Sequence, residues 1–137
     1  MQPGLEVPIR DPDATRRGRA ARRYGRRCER GTAWLYWLRG WDIVAAGFRA
    51  GRFELDLVVV RGSELRAVEV KARSPGAWCG ADTALGFHQR LRLQTALRVY
   101  LERVPWPGNV SFQRVSWSGW RWRFHPPERW DALALHG

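Results

Sequence analysis

Lysine is almost missing from this chain. It occurs once, at Lys71, and the other 23 of its 24 basic residues are arginine. Cysteine is scarce too. Cys28 and Cys79 cannot build a disulfide framework, and without a CxxC or Cys/His cluster they argue against a structural zinc. Two free thiols fit a reducing compartment. No apolar run approaches the length of a membrane span. The N-terminal stretch MQPGLEVPIRDPDATRRGR has no apolar segment behind its charges, so it does not read as a signal peptide. These absences predict a soluble, cytoplasmic protein with no membrane partner.

Acid is short relative to base. The chain has 13 acidic residues against 24 basic ones, a net charge of +11 and a pI near 11.3. Such a balance points to a polyanion partner, DNA, RNA or an acidic membrane surface, with nucleic acid the leading class. A codon bias towards arginine would give the same excess with no partner. Hydrophobic residues make up 45% of the sequence, enough to exclude a disordered chain. At 137 residues the length suits one domain over residues 15–137 behind an irregular tail, 1–14, rich in Pro and Gly.

Periodicity predicts a helix from about Thr15 to Arg39, with Cys28, Gly31, Thr32, Leu35 and Leu38 as its core stripe. Gly40 reads as its stop. Glu29 lies at the edge of that stripe. Strands follow at 41–48, 52–60 and 65–73, the last two forming an antiparallel hairpin around RGSE. A Gly/Pro-rich loop at 74–82 leads to a helix over 83–104, with Leu93, Ala96, Leu97, Tyr100 and Leu101 on its apolar side and Pro105 behind it. Strands are expected at 109–117 and 120–124. The tail from His125 reads as short, with a helix as one option. The fold class is therefore α/β, a central mixed β-sheet flanked by α-helices.

The chemistry concentrates in two strands. Glu54 and Asp56 are two apart, as are Glu69 and Lys71, so each pair shares a strand face. Hairpin pairing lets the four converge where the flanking residues are apolar. Clustered carboxylates want a cation, and oxygen-only ligands suit Mg²⁺ or Mn²⁺. Asp56 and Glu69 are the candidate metal ligands, and Lys71 would position a water or stabilise charge on phosphorus. An ammonium can shift its pKa in such a site where guanidinium stays protonated, a physical reason for Lys among arginines. The plainer reading is a solvated Glu–Lys strand face.

ELDLV, then VEVKAR with thirteen residues from Asp56 to Glu69, is similar to the PD-(D/E)xK nuclease pattern. With Gly25, Glu29, Ala33, Leu38, Gly40 and Arg49 in order, the chain resembles the YraN-like family of bacterial proteins across roughly residues 20–125. That family is related in fold to archaeal Holliday junction resolvases. The resemblance implies a restriction-endonuclease-like (PD-(D/E)xK) core and a metal-dependent hydrolase cutting DNA, branched or single-stranded, in repair, recombination or DNA uptake. A nucleic-acid-binding or protein-interaction module that keeps the fold and cuts nothing is the alternative. The resemblance implies Asp56, Glu69 and Lys71 as catalytic, Glu29 as the carboxylate completing the site, and Glu54 as a secondary candidate. Arg73 and His88 are further secondary candidates. Phe53 stands where the pattern has Gly, Gly47 where it has Asn, His88 where it has Lys, and Gln113 where it has Asp.

Arg22, Arg23, Arg26 and Arg27 in RRGRAARRYGRR, with Arg49 and Arg90, are the candidate nucleic-acid contacts. Trp117, Trp120, Trp122 and Trp130 crowd the C-terminal third. They read either as a stacking platform for bases or, more plainly, as edge-strand packing under arginine stems. The oligomeric state is open, a dimer included.

Overall fold

The computed structural model describes residues 12–73 and 86–131. The chain runs α1 (Pro12–Leu38), β1 (Asp42–Ala50), β2 (Phe53–Arg61), β3 (Glu64–Arg73), α2 (Phe87–Arg103), β4 (Asn109–Ser118), β5 (Arg121–Phe124) and β6 (Glu128–Trp130). One six-stranded sheet has the order β1-β2-β3-β4-β5, with β6 also on β4. β3 and β4 pair in parallel from Glu64–Asn109 to Arg73–Ser118, and the β1–β2, β2–β3, β4–β5 and β4–β6 pairs are antiparallel. A parallel neighbour needs a crossover, and α2 supplies it. The architecture is the expected α/β one, with a mixed sheet between helices.

α1 starts at Pro12, earlier than expected from the pattern, because proline is preorganised for a first helical turn and Asp13 suits the positive helix end. Its other end is a Schellman stop. Gly40 has φ +86°, Gly40 N–H donates to Trp37 O and Trp41 N–H to Tyr36 O, both at 3.0 Å. The Trp41 and Tyr36 rings meet edge-on at 5.7 Å, the apolar contact that accompanies this cap. The core stripe of α1 is Cys28, Thr32 and Tyr36. Leu38 is 66% exposed, since two residues beyond Tyr36 it points to the other side of the helix.

Each sheet face has its own core. Under α2, Leu93, Ala96, Leu97, Tyr100 and Leu101 pack on Leu55, Val58, Leu65, Ala67, Val110 and Phe112. Under α1, Cys28 and Tyr36 pack with Leu57, Val59, Val68, Val115 and Trp117. β4 lies between both, buried from Val110 to Ser118, so its polar side chains need internal partners. Gln113 donates to His125 O at 2.8 Å and accepts from Tyr36 and Arg66. The C-terminal region is strand rather than helix over Glu128–Trp130, because Trp130 stacks flat on Phe112 at 5.4 Å and completes the core. Residues 132–137, 74–85 (with Cys79) and most of the expected 1–14 tail lie outside the described residues.

Candidate active site

The sheet opens where β2 and β3 part. Leu55 packs under α2 but Leu57 packs under α1. Strict strand alternation would put both on one face. Asp56 sits at this change of phase. The β2–β3 ladder reaches Leu57 opposite Val68. Beyond it, the Val70 N–H donates to Asp56 Oδ2 at 2.8 Å instead of to a strand carbonyl. The carboxylate thus satisfies a donor that the parting strands would leave unpaired.

Around Asp56 the predicted carboxylates come together. Burial, foremost, raises the Asp56 pKa to about 7, the Val70 N–H pulls it down, and the charges of Glu29, Glu69 and Glu54 push it up. Glu29, on α1, is raised as well, first by burial, then by Glu54, against the pull of Arg26. Glu29, Asp56 and Glu69 are half-buried, and Glu54 stands exposed at the rim, opposite Arg49 in the β1–β2 ladder. Among the described residues, no three His, Cys, Asp or Glu side chains form a group that could hold a metal ion.

Two partners of Glu69 escaped the sequence reading. Gln89 of α2 donates to Glu69 Oε1, and Arg114 Nε donates to Oε2 at 3.2 Å. Arg114 also donates to Gln89 Oε1, closing a three-residue ring. The Arg114 and Glu69 side chains are only 6% and 13% exposed. A signal for Arg114 exists in the sequence: an arginine inside a strand apolar enough to be covered on both faces requires a carboxylate.

Lys71 is half-buried and shares the Glu69 side of β3. Across the sheet it lies opposite Ser116, which lies opposite Arg123, and next to that row Arg73, Ser118 and Arg121 line up. Directly paired strand residues share a face. One cationic band, Lys71, Arg73, Arg121 and Arg123, therefore flanks the carboxylates. Arg22, Arg23, Arg26 and Arg27 are exposed on α1, and Arg49 on β1. Arg90 instead holds Glu128 through two contacts, at 2.8 and 3.1 Å, and ties α2 to β6. His88 is exposed and lines a cavity of about 520 Å³ with Arg52, Phe53, Leu91, Arg92 and Thr95. Cys28 is buried, which raises its thiol pKa and keeps it protonated.

A family model described as "Uncharacterised protein family UPF0102" matches residues 28–135, most of the chain. The chain belongs to UPF0102. This is the YraN-like family that its motifs resemble. A UPF0102 protein of Methylorubrum extorquens is 32% identical over 130 residues, covering 93% of this chain and 98% of the relative. One from Parvibaculum lavamentivorans is 36% identical over 126 residues, 87% of this chain and 93% of the relative. One from Rhizorhabdus wittichii is 40% identical over 84 residues, 61% and 70% of the two chains.

Set on the structure, none of the departures from the UPF0102 pattern replaces a carboxylate of the Asp56 group, although Gly47 lies against Glu54. Phe53 is partly buried against the core under α2. Gln113 binds Tyr36, Arg66 and His125 on the α1 side, whereas its neighbour Arg114 faces Glu69. Gly47 has φ +66°, where Gly and Asn are the residues most at ease, so Gly in place of Asn keeps the backbone. A Cβ at this position would lie 3.4 Å from Glu54 Oε1. Gly47→Ala is therefore expected to cost about 1–2 kcal/mol in urea unfolding, and Gly47→Asn clearly less. Equal losses would show that the positive φ does not select the residue.

No helix among the described residues is long and apolar enough to cross a membrane.

Proposed function

We propose that this UPF0102 chain is a divalent-metal-dependent phosphodiesterase acting on DNA, built on a restriction-endonuclease-like core. The observation that carries the reading is Asp56. It is a half-buried carboxylate raised to about 7, crowded by Glu29, Glu69 and Glu54, one strand from the only lysine. Mutual repulsion of that kind is relieved by a cation.

The donor set fits Mg²⁺ or Mn²⁺, because such ions are often held by one or two carboxylates, with water and substrate phosphate filling the remaining positions. Asp56 and Glu69 would hold the ion, and Glu29 and Glu54 add negative charge nearby. When bound, the ion supplies Lewis-acid polarisation of a phosphoryl oxygen and a water of lowered pKa. Lys71 would orient the attacking water and stabilise the charge developing on phosphorus. Arg73, Arg121 and Arg123 would hold flanking phosphates in register with it. The cytoplasm and DNA repair, recombination or uptake are the setting this reading implies.

A second reading, a module that binds DNA without cutting it, is favoured by one observation. Both oxygens of Glu69 already accept hydrogen bonds, from Gln89 and Arg114. A cleavage assay decides between them, using duplex, single-stranded and branched DNA with Mg²⁺ or Mn²⁺. Cutting by the wild type that Asp56→Ala and Lys71→Ala each reduce roughly 10³-fold supports the enzyme. Binding without cutting, or variants that cut as well as the wild type, sinks it.

A further inference from the structure

The four crowded tryptophans divide into two classes. Trp130 is stacked on Phe112, and Trp117 is fixed under α1 by its indole N–H, which donates to Thr32 Oγ1 at 2.9 Å. Both are packing residues. Trp120 is 87% exposed and Trp122 48%. Exposed indoles add little to a core, and an isolated one needs no explanation. These two are not isolated.

They border a cleft of about 390 Å³ between α1 and the β4–β5 hairpin, within the size range of small-ligand sites. From α1, Tyr24, Arg27, Cys28 and Gly31 face it, at the i, i+3, i+4, i+7 spacing of one helix side. The walls are held in place. The Tyr24 hydroxyl donates to Gly119 O in the hairpin turn at 2.9 Å. A Cβ on Gly31 would lie 2.9 Å from the Trp117 ring, so only glycine lets the helix approach this closely. Trp117 and Trp122 pair across the strands, with ring centroids 5.3 Å apart and planes tilted by 42°. The result is a prebuilt aromatic slot.

Its charge environment selects among planar ligands. Arg27 lines the slot, and Arg23 and Arg30, exposed on α1, lie four residues before and three after it on the same helix side. Aromatic walls beside an arginine row match a planar ring attached to phosphates: aromatic faces take any base, and the cations follow the backbone. A protein segment would use that row only through acidic side chains, whereas every nucleotide carries both a planar ring and a phosphate. The slot and the carboxylate group share α1: Cys28 lines the slot and the next residue, Glu29, belongs to the Asp56 group.

We propose that this cleft binds an unpaired nucleobase, so that the DNA presented to the Asp56 site contains single-stranded nucleotides beside the bond addressed. The second clause rests on the phosphodiesterase reading, and the base site itself does not. A bound base stacks on the exposed indoles of Trp120 and Trp122 while Arg27 and its neighbours take the adjoining phosphates. Fully paired DNA keeps its bases stacked on each other and cannot fill the slot.

The test is fluorescence anisotropy in EDTA at one fixed salt concentration, with three labelled probes of equal length: an oligothymidylate, an abasic strand with the same phosphates, and a duplex. The wild type is expected to bind oligothymidylate about tenfold more tightly than the abasic strand. Trp120→Ala should remove much of that advantage and Trp120→Ala/Trp122→Ala all of it, with abasic affinity changed less than about twofold. Arg27→Ala should weaken all three probes. Trp120→Ala removes only an exposed ring, so its unfolding midpoint should match the wild type and a folding defect cannot mimic the effect. Equal affinity of the wild type for abasic and base-bearing strands overturns the proposal, as does a base advantage that survives the double variant. If the base advantage appears but no metal ion supports cutting, the base site stands and the phosphodiesterase reading falls. Cutting without a base advantage gives the reverse, and no binding to any probe overturns the base site.

Discussion

Asp56→Asn is expected to be more stable than the wild type at pH 8 and to have lost the DNA cleavage proposed for this protein. The folded-state pKa of Asp56 is about 7, against about 3.9 for an unfolded aspartate. Between those values the folded chain holds more protons than the unfolded one, so raising the pH costs stability. The wild type should lose on the order of 4 kcal/mol at most from this group as pH rises from about 4 to above 7, with no further change from it beyond. Asparagine keeps the shape, its amide oxygen still accepts the Val70 N–H, and it carries no charge to bury. The variant should therefore show a flatter pH profile in thermal or urea unfolding and a higher midpoint at pH 8. Mg²⁺ or Mn²⁺ should raise the wild-type midpoint at pH 8, where the ion meets an ionised carboxylate, and leave the variant unmoved. Cleavage should fall roughly 10³-fold, the value of several kcal/mol of lost electrostatic stabilisation. A variant less stable than the wild type at pH 8 would mean that Asp56 is better solvated than its surroundings imply. Greater stability alongside lost activity would identify the carboxylate as one retained for function at the expense of folding.

The parts of this molecule that were legible from sequence are those fixed by local pattern. The β2–β3 hairpin follows from a glycine turn between two apolar strands, and with it the approach of Asp56 to Glu69. Gly40 marks its helix stop because a Schellman motif needs a left-handed residue at that position. The buried side of α2 follows from periodicity alone. What stayed hidden depends on contacts distant in sequence. Arg114 meets Glu69 only because β4 lies parallel to β3 in one register, 45 residues away along the chain. Gln89 joins them from the first turns of α2. The β6 strand has no local signal strong enough to compete with its helical alternative, and it is the stacking of Trp130 on Phe112 that decides it. Composition made four tryptophans look like one feature. Tertiary packing separates Trp117 and Trp130, which hold the fold, from Trp120 and Trp122, which face solvent.

The surroundings of Asp56 divide the labour between the two sheet faces. The helix carrying Glu29 also carries the arginines and one wall of the aromatic cleft, whereas the opposite face carries Lys71 and the cationic band. A shift of α1 against the sheet would therefore change the carboxylate group and the cleft together. Gly31, with no side chain, allows the close contact with Trp117 that holds α1 in place. On the proposed function, Lys71 would be the compact ammonium at the reacting phosphate, with the guanidinium groups of the band on its flank.

Arg114→Met is expected to produce the largest loss of stability among substitutions at the site. Removing one partner of a buried ion pair leaves the other charged and unpaired, at a cost of about 3–5 kcal/mol. Glu69 would then face Asp56 without its ion-pair partner, and Gln89 would lose a donor to its amide oxygen. Glu69→Gln in the Arg114→Met background should recover a substantial part of the loss, because it removes the stranded charge. A double-mutant cycle by urea unfolding should give a coupling energy of at least about 1 kcal/mol, and strictly additive effects would show that the pair is not coupled in solution. Metal ions supply the second readout. If Arg114 stands in for a cation beside Glu69, removing it leaves a more negative site, and Mg²⁺ or Mn²⁺ should raise the Arg114→Met midpoint more than that of the wild type. If the ions stabilise both proteins equally, Arg114 is a structural partner of Glu69 with no bearing on the cation, and the ligand role of Glu69 has to be tested separately by Glu69→Gln in the cleavage assay.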